Sequence, residues 1–222
     1  MKVYFISGLA ADRMVFKNIV LPANCEMIHL DWIDPLKDES LHDYALRLAQ
    51  KIDTRNPFAV IGLSMGGMLA SEIAAVLHPA VVILISSVPS SKDLPGYFKW
   101  AGKLGLQKLV PVKMIKSAAI AKRFFTTETS EDKIVIRKCI EDSDPAFIRW
   151  AMDAILKWKG ETLTVPYIHI HGTRDEVLPI KYTKPTHIIA KAGHLLVMNR
   201  AGEINKILAT CLPEPNLTSA TA

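Results

Sequence analysis

The sequence predicts an α/β fold with a mainly parallel sheet of about six strands flanked by helices. Three observations carry this expectation. Short β-rich runs alternate with helical patterns along most of the chain, the signature of strand–helix–strand units. The strand candidates are apolar throughout, as suits strands covered on both faces. The alternation stops between Val88 and Lys159, where three or four amphipathic helices fit instead, so a helical insertion is expected there.

Each element has its own warrant. Lys2–Ser7 is a short apolar strand that runs into Ser7-Gly8. The same segment faintly resembles a signal peptide, but its apolar part is short and Asp12 and Arg13 follow at once, so a strand is the better reading. Cys25–Leu30 is a second strand. Leu41, Tyr44, Ala45, Leu48 and Ile52 recur at helical spacing, and Ser40 with Asp43 fits an N-terminal capping signal. Pro57 precedes the strand Phe58–Leu63. Met65–Leu77 is apolar nearly all round, as a buried helix should be. Val81–Ser86 is a continuous β-rich run. Within the insertion, Asp144-Pro145 reads as an N-cap followed by proline at the first helical position, with Phe147, Trp150, Ala151, Ile155 and Trp158 along one stripe. Strands return at Tyr167–His171 and Thr186–Ala190. Ile204, Ile207, Leu208 and Cys211 mark a last helix, ended by Pro213.

Composition narrows the classes. Half of the 222 residues are hydrophobic and 22% are charged, which excludes a disordered chain and supplies a core without metal or disulfide. Cys25, Cys139 and Cys211 lie far apart, which excludes a disulfide scaffold and a cysteine-rich zinc site. They read as free thiols in a reducing, cytoplasmic compartment. No apolar run approaches the roughly 20 residues of a membrane span. The net charge of +5 is uneven: Ser91 to Lys138 holds eleven basic residues against four acids, or +7, and the remainder carries −2. A solvated helical surface is the plain explanation; attraction of an anionic ligand or membrane face is the sharper one. No DNA- or RNA-reading motif accompanies the charge, so nucleic acid is not an expected partner.

Gly62-Leu63-Ser64-Met65-Gly66-Gly67 joins a predicted strand to a predicted helix. In that setting G-x-S-x-G is a sharp turn that lifts a serine above the sheet at the positive end of a helix. Ser64 is therefore the candidate nucleophile; the plainer reading is a glycine-rich turn that lets helix and strand pack closely. A serine hydroxyl needs a base, and the base an orienting acid. His194, in Ala192-Gly193-His194, and Asp175, in His171-Gly172-Thr173-Arg174-Asp175, both follow strands and so belong at the same sheet edge. Glu176 is the alternative acid. His169 and His171 face one side of a strand, a pair that can bind metal, but no neighbouring ligand completes a site and they read as ordinary strand histidines. Acyl transfer also needs donors for the developing oxyanion. The backbone N–H groups of Met65 and Leu9 are the candidates, the latter from the loop Ser7–Asp12.

Together these four blocks, Ser-Gly-Leu-Ala-Ala-Asp, Gly-Leu-Ser-Met-Gly-Gly, His-Gly-Thr-Arg-Asp-Glu-Val-Leu-Pro and Ala-Gly-His-Leu-Leu-Val, closely resemble the α/β-hydrolase superfamily in their expected order. The resemblance covers Lys2–Ser86 and Tyr167–Leu212. It implies the α/β-hydrolase fold, a Ser64–Asp175–His194 triad and no cofactor. It also implies a hydrolase core over residues 1–89 and 160–212, a helical cap over 90–159 and a flexible tail over 213–222. Three departures are visible. Ser7-Gly8 stands where the family usually has His-Gly, the usual N-terminal antiparallel hairpin is missing, and the step from Asp175 to His194 is short.

The leading expectation is a serine hydrolase of carboxylesterase or thioesterase type, acting on a small-molecule acyl substrate. An anionic substrate is the variant that the basic segment suggests. A lyase or synthase, a C–C bond hydrolase and a non-catalytic binding protein share the scaffold and stay open. Phe98, Trp100, Phe124, Phe125 and Trp150 are candidates for lining the substrate pocket, although aromatic residues at helical spacing more often pack.

Overall fold

The computed structural model describes residues 1–105 and 129–212. Six strands form one sheet: β1 (Lys2–Ile6), β2 (Glu26–His29), β3 (Phe58–Leu63), β4 (Val81–Ile85), β5 (Ile168–Gly172) and β6 (His187–Ile189). Their order is β2-β1-β3-β4-β5-β6, and every pairing is parallel. The expected "mainly parallel" sheet is thus wholly parallel among the described residues. Register sets the rest. Ile6 pairs with Gly62, Leu63 with Ile85, Ile85 with Ile170 and Gly172 with Ile189. The strands therefore end nearly level, and the loops that leave them share one edge, where α/β sheets present their ligand crevices.

Alternate residues of the strands enter two cores. Tyr4, Ile6, Phe58, Val60, Val82 and Leu84 face one side, with α1 (Leu41–Ala49) and α2 (Met65–Leu77). Val3, Phe5, Ala59, Ile61, Ile83 and Ile85 face the other, with α6 (Leu196–Asn199) and α7 (Ala201–Cys211). This two-sided burial is why the strands read as unbroken apolar runs rather than alternating ones.

Three described helices lie between β4 and β5: α3 (Gly96–Leu104), α4 (Ser130–Asp142) and α5 (Pro145–Lys157). Ile136 and Ile140 of α4 join one core, and Phe147, Ala151, Ala154 and Ile155 of α5 join the other. The capping signals act as expected. Ser40 accepts the N–H of Asp43, and Asp144 accepts that of Ala146 ahead of Pro145. Val81–Ser86 ends one residue early as a strand, because Ser86 turns into the left-handed region at φ 45°. Among the described residues no helix is long and apolar enough to cross a membrane.

Candidate active site

Ser64 forms the junction between β3 and α2, at φ 53° and ψ −119°. A non-glycine residue held there costs on the order of 1–3 kcal/mol, so the surroundings must enforce it. Three glycines make the enforcement sterically feasible. A Cβ on Gly62 would stand 2.1 Å from the Gly66 carbonyl oxygen, and one on Gly66 would stand 2.2 Å from that of Ile6. One on Gly67 would stand 2.5 Å from the Cβ of Ser87. The backbone of Ser64 is fastened at both ends: its N–H donates to Ile85 O at 2.9 Å, and its carbonyl accepts the Ser87 hydroxyl at 2.7 Å. Nothing in the sequence pattern marks Ser87 for this task.

The three residues expected to share the edge do so. Ser64 Oγ lies 2.9 Å from His194 Nε2, and His194 Nδ1 lies 2.8 Å from Asp175 Oδ2. An ionised carboxylate only accepts, so Nδ1 carries the imidazole proton and Nε2 presents its lone pair to the serine hydroxyl. Asp175 and His194 are buried, at 4% and 3% exposure, whereas Ser64 is half-buried and reachable. Burial disfavours the charge on Asp175. The field of His194, together with hydrogen bonds from His171 and His194, outweighs it and holds the carboxyl well below the usual carboxylate range. The other oxygen, Oδ1, accepts the N–H groups of Val177 and Leu178 at 2.9 and 2.8 Å. Glu176, the alternative acid, is exposed.

The short step from Asp175 to His194 is accommodated by joining their two loops. Thr173 N–H donates to Ile189 O at 3.1 Å and Arg174 N–H to Ala192 O at 2.8 Å. Lys191 N–H donates to the Thr173 hydroxyl at 2.8 Å. Gly172 lets the second loop come close: a Cβ there would meet Ala192 O at 2.3 Å.

The loop after β1 lies against the serine, since a Cβ on Gly8 would be 3.3 Å from Ser64 Cβ. The Ser7 hydroxyl closes this loop by donating to Ala11 O at 3.0 Å. Leu9 thus belongs to a loop that abuts Ser64. Met65 opens α2, where a backbone N–H has no acceptor within its own helix.

The remaining expectations divide. His169 and His171 do share a face, with ring centroids 5.1 Å apart and ring nitrogens 3.1 Å apart; among the described residues no group of three or more His, Cys, Asp or Glu is placed to hold a metal ion. Trp150 is engaged in packing: its ring lies 4.3 Å from that of Tyr44, and its indole N–H donates to Glu39 O at 2.9 Å. Phe98 packs partly buried against the first core, and Trp100 is 68% exposed. Phe124 and Phe125 lie outside the described residues, as do Lys108, Lys113, Lys116, Lys122 and Arg123 of the basic segment. Within the described part of that segment, Arg137 pairs with Glu141 at 2.8 Å and Lys138 with Asp142 at 2.7 Å. Those two acids sit just past the segment's end, so its charge is partly neutralised one helical turn away. The three cysteines are free, and burial pushes the Cys139 thiol up to about 11.

Comparison with known proteins adds to this geometry. The profile of the Alpha/beta hydrolase family matches residues 5–207. A pimeloyl-[acyl-carrier protein] methyl ester esterase of Neisseria meningitidis serogroup A is 26% identical, over 90% of this chain and 70% of its own length. Among solved structures, MenH from S. aureus superposes with a TM-score of 0.73 at 16% identity, over 94% of this chain and 91% of that one. The enol-lactonase from Burkholderia xenovorans LB400 superposes with a TM-score of 0.67 at 16% identity, over 96% and 91% of the two chains.

Proposed function

Because the chain belongs to the alpha/beta hydrolase family, we propose that it is a serine hydrolase that cleaves a carboxylic ester or thioester through an acyl-enzyme on Ser64. The observation that carries this reading is the continuous hydrogen-bonded line from Ser64 Oγ through His194 to Asp175 Oδ2, with spacings of 2.9 and 2.8 Å. The curated relative named as a methyl ester esterase is consistent with ester chemistry.

The steps follow from the donors and acceptors. Ser64 Oγ attacks the acyl carbon as His194 Nε2 takes its proton. Asp175 keeps the imidazole in the required tautomer and stabilises its positive form. The carbonyl oxygen becomes an oxyanion, which the N–H groups of Met65 and Leu9 receive; each such donor is worth about 2.7–4 kcal/mol. The C–O or C–S bond then breaks, and His194 returns the proton to the departing alcohol or thiol. Water enters, gives a proton to His194 and attacks the acyl-enzyme. The acid leaves and Ser64 regains its hydrogen.

In this reading the described residues of 90–159 form a helical cap over a core of residues 1–89 and 160–212; residues 106–128 and 213–222 lie outside the described residues. Phe98 is the described aromatic that best suits a pocket wall, being partly buried beside Leu94 and the first core.

The test is a panel of p-nitrophenyl esters, acyl thioesters and lactones, with fluorophosphonate labelling read by mass spectrometry. Wild type is expected to turn over at least one class and to carry the label on Ser64. Ser64→Ala is expected to lose both, with turnover down by about 10³-fold or more. Ser64→Ala that hydrolyses the same substrate as fast as wild type would overturn the reading.

A further inference from the structure

A neutral imidazole has one donor nitrogen and one acceptor, and its neighbours decide which is which. His171, on β5, is fully buried. Its Nε2 lies 2.7 Å from Leu178 O and 3.3 Å from Asp175 Oδ2. Both neighbours only accept, so Nε2 carries the proton. Nδ1 is then the acceptor, and the atom facing it, His169 Nε2 at 3.1 Å, must donate. His169 Nδ1 is left to accept, with the Thr183 hydroxyl 3.5 Å away. The polarity of the whole row is therefore fixed. It runs from His169, which also meets the Ser87 backbone, through His171, and it ends on Leu178 O and beside the same carboxylate oxygen that receives His194.

We propose that His171 is a positioning residue for this site: its single Nε2–H, held by Leu178 O at 2.7 Å and shared with Asp175 Oδ2 at 3.3 Å, ties that carboxylate oxygen to the Leu178 turn and so sets the direction in which it meets His194 Nδ1–H. The proposal rests on the hydrolase reading for its catalytic consequence, but the clamp itself is a matter of hydrogen-bond geometry. Among the described residues, four donors then face the carboxylate: two backbone N–H groups on Oδ1, the His194 Nδ1–H on Oδ2, and the His171 Nε2–H, which Oδ2 shares with Leu178 O. Two of the four come from the turn that carries Asp175 itself, and they fix the plane of the carboxylate. Of the two on Oδ2, His194 moves protons during turnover and His171 does not. His171 is thus the donor that stays while His194 changes its charge. Burial, and then the field of His171, lower His169 to about 3, so that ring stays neutral and its donor role does not change near neutral pH.

The experiment compares His171→Leu, which keeps the bulk and removes the donor, with His171→Gln, which returns an N–H at similar reach. The readouts are kcat and KM on the best ester, and the low-field proton resonance of His194 Nδ1–H by NMR. His171→Leu is expected to lower kcat by about 10-fold with KM changed less than about twofold, and to shift or broaden the resonance. His171→Gln is expected to restore kcat to within about threefold and to return the resonance toward its wild-type position. Where His171→Leu does not fold, His169→Asn takes its place; it removes the donor one step back and is expected to move the same resonance. An unmoved resonance in a folded variant, or equal loss in the Leu and Gln variants, would overturn the proposal. Turnover that survives Ser64→Ala would instead remove the hydrolase reading, while the resonance still reports on the clamp.

Discussion

The hydroxyl of Ser87 donates a 2.7 Å hydrogen bond to the carbonyl oxygen of Ser64. This joins the turn after β4 to the strained turn after β3. The Ser87 side chain also crowds Gly67, whose added Cβ would lie 2.5 Å from both its Cβ and its Oγ. One side chain thus both fastens the elbow and forbids a larger residue on the first turn of α2.

A coupled pair of substitutions tests this relationship. Gly67→Ala is expected to destabilise the fold by about 2 kcal/mol or more, as overpacking in a rigid core does. Adding Ser87→Gly removes the obstructing atoms, so part of that loss is expected to return. The double-mutant cycle from urea denaturation should show a favourable coupling of at least about 1 kcal/mol. Strict additivity would show that the elbow is held by other contacts.

Asp175→Asn preserves the shape of the site and changes one acceptor into a donor. The His194 Nδ1–H aims at Oδ2 and the His171 Nε2 lies 3.3 Å from it, so an amide nitrogen there meets donors instead of accepting from them. An amide oxygen there restores the acceptance but cannot stabilise the imidazolium. kcat is expected to fall by about 10⁴-fold with the thermal midpoint little changed. A fall below about 10-fold would mean that His194 is oriented without this carboxylate.

The buried imidazole of His169 makes the fold sensitive to acid. Folding lowers this group from 6.5 to about 3, chiefly through burial and then through the field of His171. The unfolded chain therefore binds the proton more readily than the folded one. Its contribution to stability is complete above about pH 6.5 and is lost as pH falls toward 3, at about 1.4 kcal/mol per pH unit. His29, also lowered by burial, adds to the same slope. Asp175, held below its ordinary range, contributes stability that is present above about pH 3.9 and lost below it. The window from pH 4 to 6.5 thus reports mainly on the histidines. Urea unfolding across that window is expected to show the slope in wild type and a flatter one in His169→Asn. Equal slopes would place the acid sensitivity elsewhere.

Much of the molecule was legible in its residue pattern, and the reasons differ from place to place. Met65–Leu77 was read to the residue, because a helix bounded by a strained serine and a left-handed His78 has sharp ends. Phe58–Leu63 was equally clear, since all its residues are buried and apolar. Tyr167–His171 came out one residue late, as Ile168–Gly172, because Gly172 still pairs with Ile189 before the loop begins. Ser64, Asp175 and His194 were read as neighbours because each sits in a loop whose residue types suit the proposed chemistry, and their side chains do meet. Ser87 and His171 were not so read. A serine next to another serine and a histidine inside an apolar strand look the same whether or not they touch Ser64 or Asp175. Trp150 shows the converse, since its stripe gave the helix but could not distinguish a pocket wall from packing on Tyr44.

Periodicity, caps and turn chemistry act between near neighbours, and they determined the strands, the helices and the sharp bend at Ser64. The order of the strands, and the meeting of Ser64 with His194 across 130 positions, came from parallel pairing between strands far apart in the chain. The directions of the buried hydrogen bonds at Asp175 came later still. A donor finds its acceptors only when the packed interior has decided which atoms lie beside it.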